Sequence, residues 1–234
     1  MIEQILSEPR ILVALSMLSV ASIMDLKNRE VHDLVWIIFG SIGAIMYVFE
    51  PGLALNFVPL IFAASFSVAI AYFAYRIGLF AGADALALVA LAVIIPLYNG
   101  PNMLHNIAPL TILTNGAILA SLFLVFNIVR NSISIAKGVH LFANFEEPAW
   151  KKAFAFVIGY RATNPKFAYP IEIESGTGKK FDFSFVHAEE GEYCAKQGSS
   201  WVMAGLPFIV YMLAGLVSMI LVGDIMMSFI GMFL

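Results

Sequence analysis

Long apolar runs alternate with short polar segments along most of this chain, and one longer polar stretch interrupts the pattern towards the carboxyl end. An apolar helix of about 20 residues is long enough to cross the hydrocarbon core of a bilayer. The pattern therefore predicts an α-helical integral membrane protein with six transmembrane helices. Their predicted limits are Pro9–Met24, Leu34–Phe49, Leu53–Tyr75, Ala85–Tyr98, Asn106–Val129 and Trp201–Val222.

The fourth predicted span, Ala85–Tyr98, is short for a membrane crossing. At a rise of 1.5 Å per residue it reaches only about 21 Å, whereas the hydrocarbon core is about 30 Å thick. If this segment crosses, one of its ends must lie below the membrane boundary. The Gly- and Ala-rich residues before it, together with Asp84, would then be drawn into the plane of the bilayer.

The composition agrees with a membrane protein and argues against nucleic acid as a partner. Of the 234 residues, 61% are hydrophobic and only 12% are charged, whereas soluble domains are about 45–50% apolar and about 25% charged. The net charge of −3 comes with no basic patch that would indicate nucleic-acid binding. A single cysteine, Cys194, excludes an internal disulfide. The first ten residues lack the basic start of a cleaved signal peptide.

The basic residues predict the orientation of the spans. With six crossings, twelve of the thirteen Lys and Arg residues fall on one side, and only Arg10 falls on the other. Cytoplasmic loops carry the excess of Lys and Arg, so the crowded side is predicted to be cytoplasmic and both termini to face outwards. The tail that begins at Asp224 is predicted either to extend the last helix or to lie at the outer interface.

The polar stretch is predicted to be a small cytoplasmic β-rich domain. The segments Tyr169–Gly176 and Lys180–His187 alternate between apolar and polar residues, and the second places Phe181, Phe183 and Phe185 on one face. Ser175–Gly178 reads as the connection of a hairpin between them. Phe154–Ala162 is a candidate third strand. The predicted divisions are a membrane domain at 1–136, an antiparallel sheet domain at 137–200, and the last span with its tail at 201–234.

Two acids flank the apolar runs on the predicted cytoplasmic side. Asp25 closes the first span and Asp84 opens the fourth, so the fold could bring them together. Two carboxyl groups in a poorly solvated site cannot both ionise at low cost, so one holds a proton while the other stays charged. Such a pair can deprotonate a water and hydrogen-bond a peptide carbonyl at the same time. This chemistry requires neither a metal nor a cofactor.

Other roles remain open for these two residues on the sequence alone. An Asp at a helix start often caps the helix or interacts with its dipole, and an Asp beside Lys27 and Arg29 can be an ordinary interface charge. Membrane acids also relay protons in transporters, so a small proton-coupled transporter that uses Asp25 and Asp84 is an alternative function. A membrane scaffold whose cytoplasmic sheet binds partners is a further one.

Two local motifs favour the catalytic interpretation. Ser22–Asp33, "SIMDLKNREVHD", resembles the first signature of the type IV prepilin peptidases, in which an Asp is followed after five residues by an Ile/Val–Pro pair; here Val31 and His32 follow. Ala81–Asp84, "AGAD", resembles the GxGD motif that these peptidases share with presenilin-like intramembrane aspartyl proteases. Ala replaces Gly at positions 81 and 83, and a backbone with positive φ at position 81 would strain an alanine.

The resemblance, and above all the extra domain before the last span, implies the archaeal branch, the preflagellin peptidases. It implies a membrane aspartic endopeptidase that removes a short basic leader from preflagellin or pilin-like precursors at the cytoplasmic face. Asp25 and Asp84 would be its catalytic dyad, and Ala81, Gly82 and Ala83 would form a loop beside the substrate backbone. The implied partners are precursors with a basic leader and an apolar segment, within the lipid bilayer, and no metal or nucleic acid is implied.

Overall fold

A computed structural model describes residues 8–49, 53–163, 165–175, 178–183 and 199–231 of the chain. Its described helices are α1 (Pro9–Asn28), α2 (Asp33–Met46), α3 (Leu53–Arg76), α4 (Gly82–Ile94), α5 (Ala108–Ala136), α6 (Ala149–Ile158), α7 (Phe208–Val222) and α8 (Ile225–Ile230), with one 3₁₀ turn at Tyr47–Phe49. Its strands are β1 (Gly159–Thr163), β2 (Ala168–Pro170), β3 (Glu172–Ser175), β4 (Gly178–Phe181) and β5 (Ser199–Ala204).

Three of the described helices are long and apolar enough to cross a membrane: Pro9–Asn28, Phe57–Arg76 and Ala108–Ala136. The stretches Asp33–Phe49, Gly82–Ile94 and Phe208–Val222 are apolar but shorter. The predicted helical architecture with membrane-spanning segments is therefore confirmed at this level, together with a small antiparallel sheet. Helix α5 continues to Ala136, seven residues past its predicted end at Val129.

The chain divides into two compact units. The first contains the described parts of Met1–Leu119 and Pro207–Leu234, and the second contains Ala120–Leu206. In the first unit, α1 packs against α2, α4 and α7, and α4 packs against α2, α3 and α7. Small and large apolar side chains alternate in its core, as with Ala14, Leu18 and Ala21 of α1. Helix α4 therefore has protein neighbours on several sides despite its short length.

Polar contacts fix the end of α4 and the end of α7 within the first unit. Arg10 donates from Nη1 to the carbonyl oxygen of Ile94 at 2.8 Å, and the Tyr47 hydroxyl donates to that of Val93 at 3.0 Å. The buried Asn115 of α5 donates from Nδ2 to the Gly223 carbonyl oxygen and accepts at Oδ1 from the amide of Ile225, each at 2.9 Å. The helix ends are satisfied by side chains, as expected where water is scarce.

The last apolar helix breaks at Gly223, which has a φ of 84°. The Asp224 side chain then accepts from the amides of Met226 and Met227 at 2.9 and 3.3 Å, which caps the separate short helix α8. The tail after Asp224 therefore does not extend α7 within the described residues. A glycine is required at position 223 because a Cβ there would overlap the carbonyl oxygen of Pro101.

The second unit holds two antiparallel sheets, with strand order β1–β5–β2 in one and β3–β4 in the other. The predicted hairpin is confirmed: Glu172 pairs with Phe181, and Ser175 pairs with Gly178. Phe181 stacks on Phe183 at 5.8 Å between ring centroids, as the alternation predicts, whereas Phe185 lies outside the described residues.

The prediction that Trp201 begins the last span is wrong. Ser199–Ala204 forms β5 and crosses the predicted boundary between residues 200 and 201. The Trp201 side chain is fully buried in the second unit, where its Nε1 donates to the Leu141 carbonyl oxygen at 3.1 Å. The following helix begins only at Phe208, because Pro207 disfavours helical backbone in the residue before it.

The candidate third strand over Phe154–Ala162 is also wrong in its first half. Residues up to Ile158 belong to helix α6, and only Gly159–Thr163 forms a strand. Helix α6 begins before this segment, at Ala149, and its first five residues include Lys151 and Lys152 and two alanines, which are good helix formers. Asn127 and Asn131 of α5 donate to the last carbonyl oxygens of α6, which stabilises the end of the helix.

Candidate active site

Asp25 and Asp84 lie at the ends of two helices that pack against each other in the first unit. Asp25 is in the last turn of α1, and Asp84 is in the first turn of α4. Both side chains are partly exposed. The Asp25 carboxylate lies close enough to Asp84 for their negative charges to repel each other. Two acids that are distant in sequence therefore share one electrostatic environment.

Helix α1 ends at its C-cap residue Arg29, four residues after Asp25. This residue has a φ of 60°, and its amide donates to the Asp25 carbonyl oxygen at 3.0 Å. The positive charge of Arg29 also lies within electrostatic range of the Asp25 carboxylate. Ser22, one turn earlier on α1, is buried. Its hydroxyl has no hydrogen-bond partner within the part of the chain that the structure describes.

Asp84 is held at the start of α4 by the backbone. Its Oδ2 accepts a hydrogen bond from the amide of Ala81 at 3.3 Å. This contact satisfies one of the amides that a helix start leaves without an intrahelical partner. A carboxylate at this position also interacts favourably with the positive end of the helix dipole. Asp84 is thus not the N-cap, which is Ala81, but its side chain helps to cap the helix by accepting from the N-cap amide.

The predicted loop at Ala81, Gly82 and Ala83 is largely wrong, because Gly82 and Ala83 are the first two residues of α4 and Ala81 is its N-cap. Ala81 has a φ of −70° and a ψ of 161°, which any residue adopts. The left-handed position of the preceding turn falls on Gly78, with a φ of 72°. A Cβ at Gly82 would meet nothing within 4 Å. Open space therefore adjoins the backbone at Gly82.

Replacement of Ala81 by Gly is expected to change stability by less than about 1 kcal/mol, because the observed backbone strains neither residue. Glycine adds conformational freedom to the unfolded chain, at about 0.4–1 kcal/mol, whereas Ala81 is the N-cap of α4, a position that favours glycine over alanine. Thermal unfolding of the full chain in detergent, compared between wild type and Ala81→Gly, measures the difference. A gain of several kcal/mol for Ala81→Gly would show strain at this position and contradict its extended backbone.

An apolar groove of about 380 Å³ runs between α2 and α4. Helix α2 contributes Trp36 and the small residues Gly40 and Ala44, and helix α4 contributes Leu86, two residues after Asp84, and further residues up to Val93. The Trp36 side chain is only 6% exposed. Its Nε1 is buried and has no hydrogen-bond acceptor among the described residues. The groove therefore offers apolar walls.

Sequence reasoning did not identify Trp36 or this groove. Trp36 is the fourth residue of α2, which begins at Asp33, the last residue of the first motif. Nothing in the apolar pattern distinguishes Trp36 from its apolar neighbours. The small residues at positions 40 and 44 share a helix face with Trp36, which is the signal that a helical wheel could have shown.

Among the described residues, no group of three or more His, Cys, Asp or Glu side chains is arranged to hold a metal ion.

Comparison with known proteins agrees with the motifs. The chain matches the model of the type IV leader peptidase family over residues 12–160. The matched segment contains both Asp25 and Asp84 and exceeds half of the 234 residues. No curated protein matches the chain significantly. The family match and the three long apolar helices both agree with a protein of the membrane. The chain accordingly belongs to the type IV leader peptidase family and is a peptidase.

Proposed function

We propose that this peptidase is an aspartic endopeptidase that removes the basic leader of preflagellin or type IV pilin-like precursors. The observation that supports the proposal is that Asp25 and Asp84, on two helices that contact each other, lie close enough for their charges to interact. Each acid stands at the aspartate position of one family signature. Their mutual repulsion favours a state in which one of them holds a proton, which is the state that hydrolysis requires.

The reaction follows from that state. The charged carboxylate takes a proton from a water molecule, whose oxygen attacks the scissile carbonyl carbon. The protonated carboxyl group donates its proton to the carbonyl oxygen, which gives a gem-diol intermediate. The carboxyl group that took the water proton then protonates the leaving amine as the C–N bond breaks, and the other carboxylate takes back a proton from the gem-diol. Asp25 and Asp84 act as one unit in these transfers. The open backbone at Gly82 gives the substrate chain room beside them.

The proposed orientation places this chemistry at the cytoplasmic face of the cell membrane. Six crossings, formed by the three long and three shorter apolar helices, put the ends of α1 and α4 on the side that carries twelve of the thirteen basic residues. A leader in the cytoplasm would meet the acids there, while the apolar segment that follows it would lie within the bilayer. The archaeal preflagellin branch is the proposed subfamily because a β-rich segment precedes the last apolar helix.

The groove between α2 and α4 is the proposed path of the precursor's apolar segment. Helix α4 lines it from Leu86, two residues after Asp84, to Val93, in the direction that leads away from the proposed cytoplasmic end. Small residues on α2 permit close approach of a second backbone.

Filling this groove is expected to weaken substrate binding. Ala44→Leu would place three additional carbon atoms in the groove, and we expect KM for the precursor to rise roughly 10-fold or more with little change in kcat. The matched control is Ala69→Leu, at an exposed position of α3 that does not line the groove. Steady-state cleavage in proteoliposomes measures both constants. An unchanged KM for Ala44→Leu would exclude the groove as the substrate path.

The proposed function is tested by cleavage with the purified full chain. The enzyme and a candidate precursor are reconstituted in one bilayer, and the product is identified by its size shift and by its new amino-terminal sequence. Cleavage at the leader junction, lost in the Asp25→Asn/Asp84→Asn double variant, supports the proposal. Cleavage that the double variant retains would contradict the dyad, and proton-driven transport without cleavage of any precursor would favour the transporter.

A further inference from the structure

Helix α6 of the second unit presents an apolar face that is partly exposed within the described residues. Trp150, Ala153, Phe154 and Val157 follow the i, i+3, i+4, i+7 spacing of one helix face, called here the α6 face. The side chains of Trp150 and Phe154 are 64% and 41% exposed, and the Phe154 ring also meets the Phe183 ring edge to face at 4.9 Å. On the other side of the helix, Ala155 is buried in the core of the unit. All four side chains of the α6 face are apolar, and the nearest charge is the Lys151 ammonium, 5.9 Å from the centre of the Trp150 ring.

The position of α6 is fixed by α5 and not by a flexible tether. Asn131 donates from Nδ2 to the carbonyl oxygens of Phe156 and Gly159, each at 2.8 Å, and Asn127 donates to those of Val157 and Ile158 at 3.3 and 3.1 Å. The two asparagine side chains are buried. They take over the role that water has at an exposed helix end, which is the arrangement expected in surroundings that are poor in water.

Counted from the start of α5, the contact with α6 comes after about the length of one membrane crossing. Asn127 is the twentieth residue of α5, counted from Ala108, and about 20 helical residues cross the hydrocarbon core. Large apolar side chains of α5 are exposed on both sides of this point, including Phe126 at 59% and Val129 at 51%. The exposed apolar surface of a candidate span therefore continues to the place where α6 is attached.

We propose that α6 lies on the bilayer surface with the α6 face inserted among the lipids. An amphipathic helix with Trp and Phe on its apolar side is suited to the interface between head groups and acyl chains, and Trp is enriched at that depth. The bilayer is thus the partner of this face, and the second unit is held against the membrane by two attachments, α5 and α6. This inference does not depend on the identity of the precursor or on the catalytic roles of the acids.

Spin labels on the full chain test the proposal. In a Cys194→Ser background, which removes the single cysteine, a label is attached at Ala153→Cys on the α6 face and, as the control, at Lys152→Cys on the opposite side of the helix. The protein is placed in nanodiscs of phosphatidylcholine and phosphatidylglycerol. We expect the label at position 153 to collide more with oxygen, which partitions into lipid, than with a water-soluble nickel chelate, and the label at 152 to show the reverse preference.

Two outcomes would overturn the proposal. A label at position 153 that collides mainly with the nickel chelate would show a face exposed to water. An immobilised label that neither reagent reaches would show a face covered by protein, such as another segment or a second copy. A second label at Trp150→Cys repeats the measurement one turn earlier on the same face. If both labels show the same preference, the result reflects the orientation of the helix and not a local effect of one substitution.

Discussion

Asp84→Asn is expected to reduce precursor cleavage by roughly 10²–10⁴-fold, which is the typical contribution of a positioned acid or base. The amide has almost the same size as the carboxyl group, and its oxygen can still accept from the Ala81 amide that now binds Oδ2. The start of α4 should therefore remain folded. What the variant loses is a group that exchanges a proton with water or with the substrate at neutral pH.

Asp25→Asn is expected to have a loss of similar size, because the two carboxyl groups act as one unit in the proposed mechanism. The control is Asp33→Asn, which removes an exposed acid from the first residue of α2 and should leave cleavage within about twofold of wild type. Initial rates on a precursor reconstituted in the same bilayer provide the comparison. Full activity of either dyad variant, with a normal melting temperature, would remove that residue from the catalytic assignment.

Gly215→Ala is expected to cause a large loss of stability in the first unit. A Cβ at this position would overlap the Ile112 carbonyl oxygen and lie 2.8 Å from the Gly116 amide nitrogen, both on α5. Backbone atoms cannot move aside as a flexible side chain does. Overpacking costs about 1–3 kcal/mol, occasionally more, and we expect the upper end of this range because α5 and α7 would have to separate.

Gly40→Ala is the matched control for that experiment. It lies in the interior of α2, and a Cβ there would meet nothing within 4 Å. Its stability should be unchanged or raised by up to about 1 kcal/mol, since alanine favours helix more than glycine does. Thermal or denaturant unfolding of both variants, in the same detergent, gives the difference. Equal stability of Gly215→Ala and Gly40→Ala would contradict the close approach of α5 and α7.

The apolar pattern predicted the helices better than their ends. Runs of about 20 apolar residues locate spans because length and hydrophobicity act locally. Trp201 was misassigned for a non-local reason: its side chain is buried among aromatic residues such as Phe142, whose ring stacks on it at 5.2 Å. Phe154 was misassigned because α6 is stabilised by the asparagines of α5. Neither partner can be identified from the residues of the segment itself.

The residues of the candidate site could be predicted from the sequence, but their arrangement could not. Asp25 and Asp84 were found because each stands in a short motif and adjoins an apolar run. Their proximity depends on the packing of α1 against α4, and the groove depends on how α2 stands beside α4. The backbone at Ala81 could not be predicted either, because the left-handed turn falls on Gly78 instead. Motifs locate reactive groups in the chain, whereas distances between them come from tertiary packing.

The contacts of Asn115 have a consequence for biosynthesis. Its partners, Gly223 and Ile225, follow it by more than 100 positions, and α7 packs on both α1 and α4. During translation, α1 and α4, which carry the two acids, are made before the second unit, whereas their neighbour α7 is made after it. The first unit can therefore be completed only when α7 has left the ribosome.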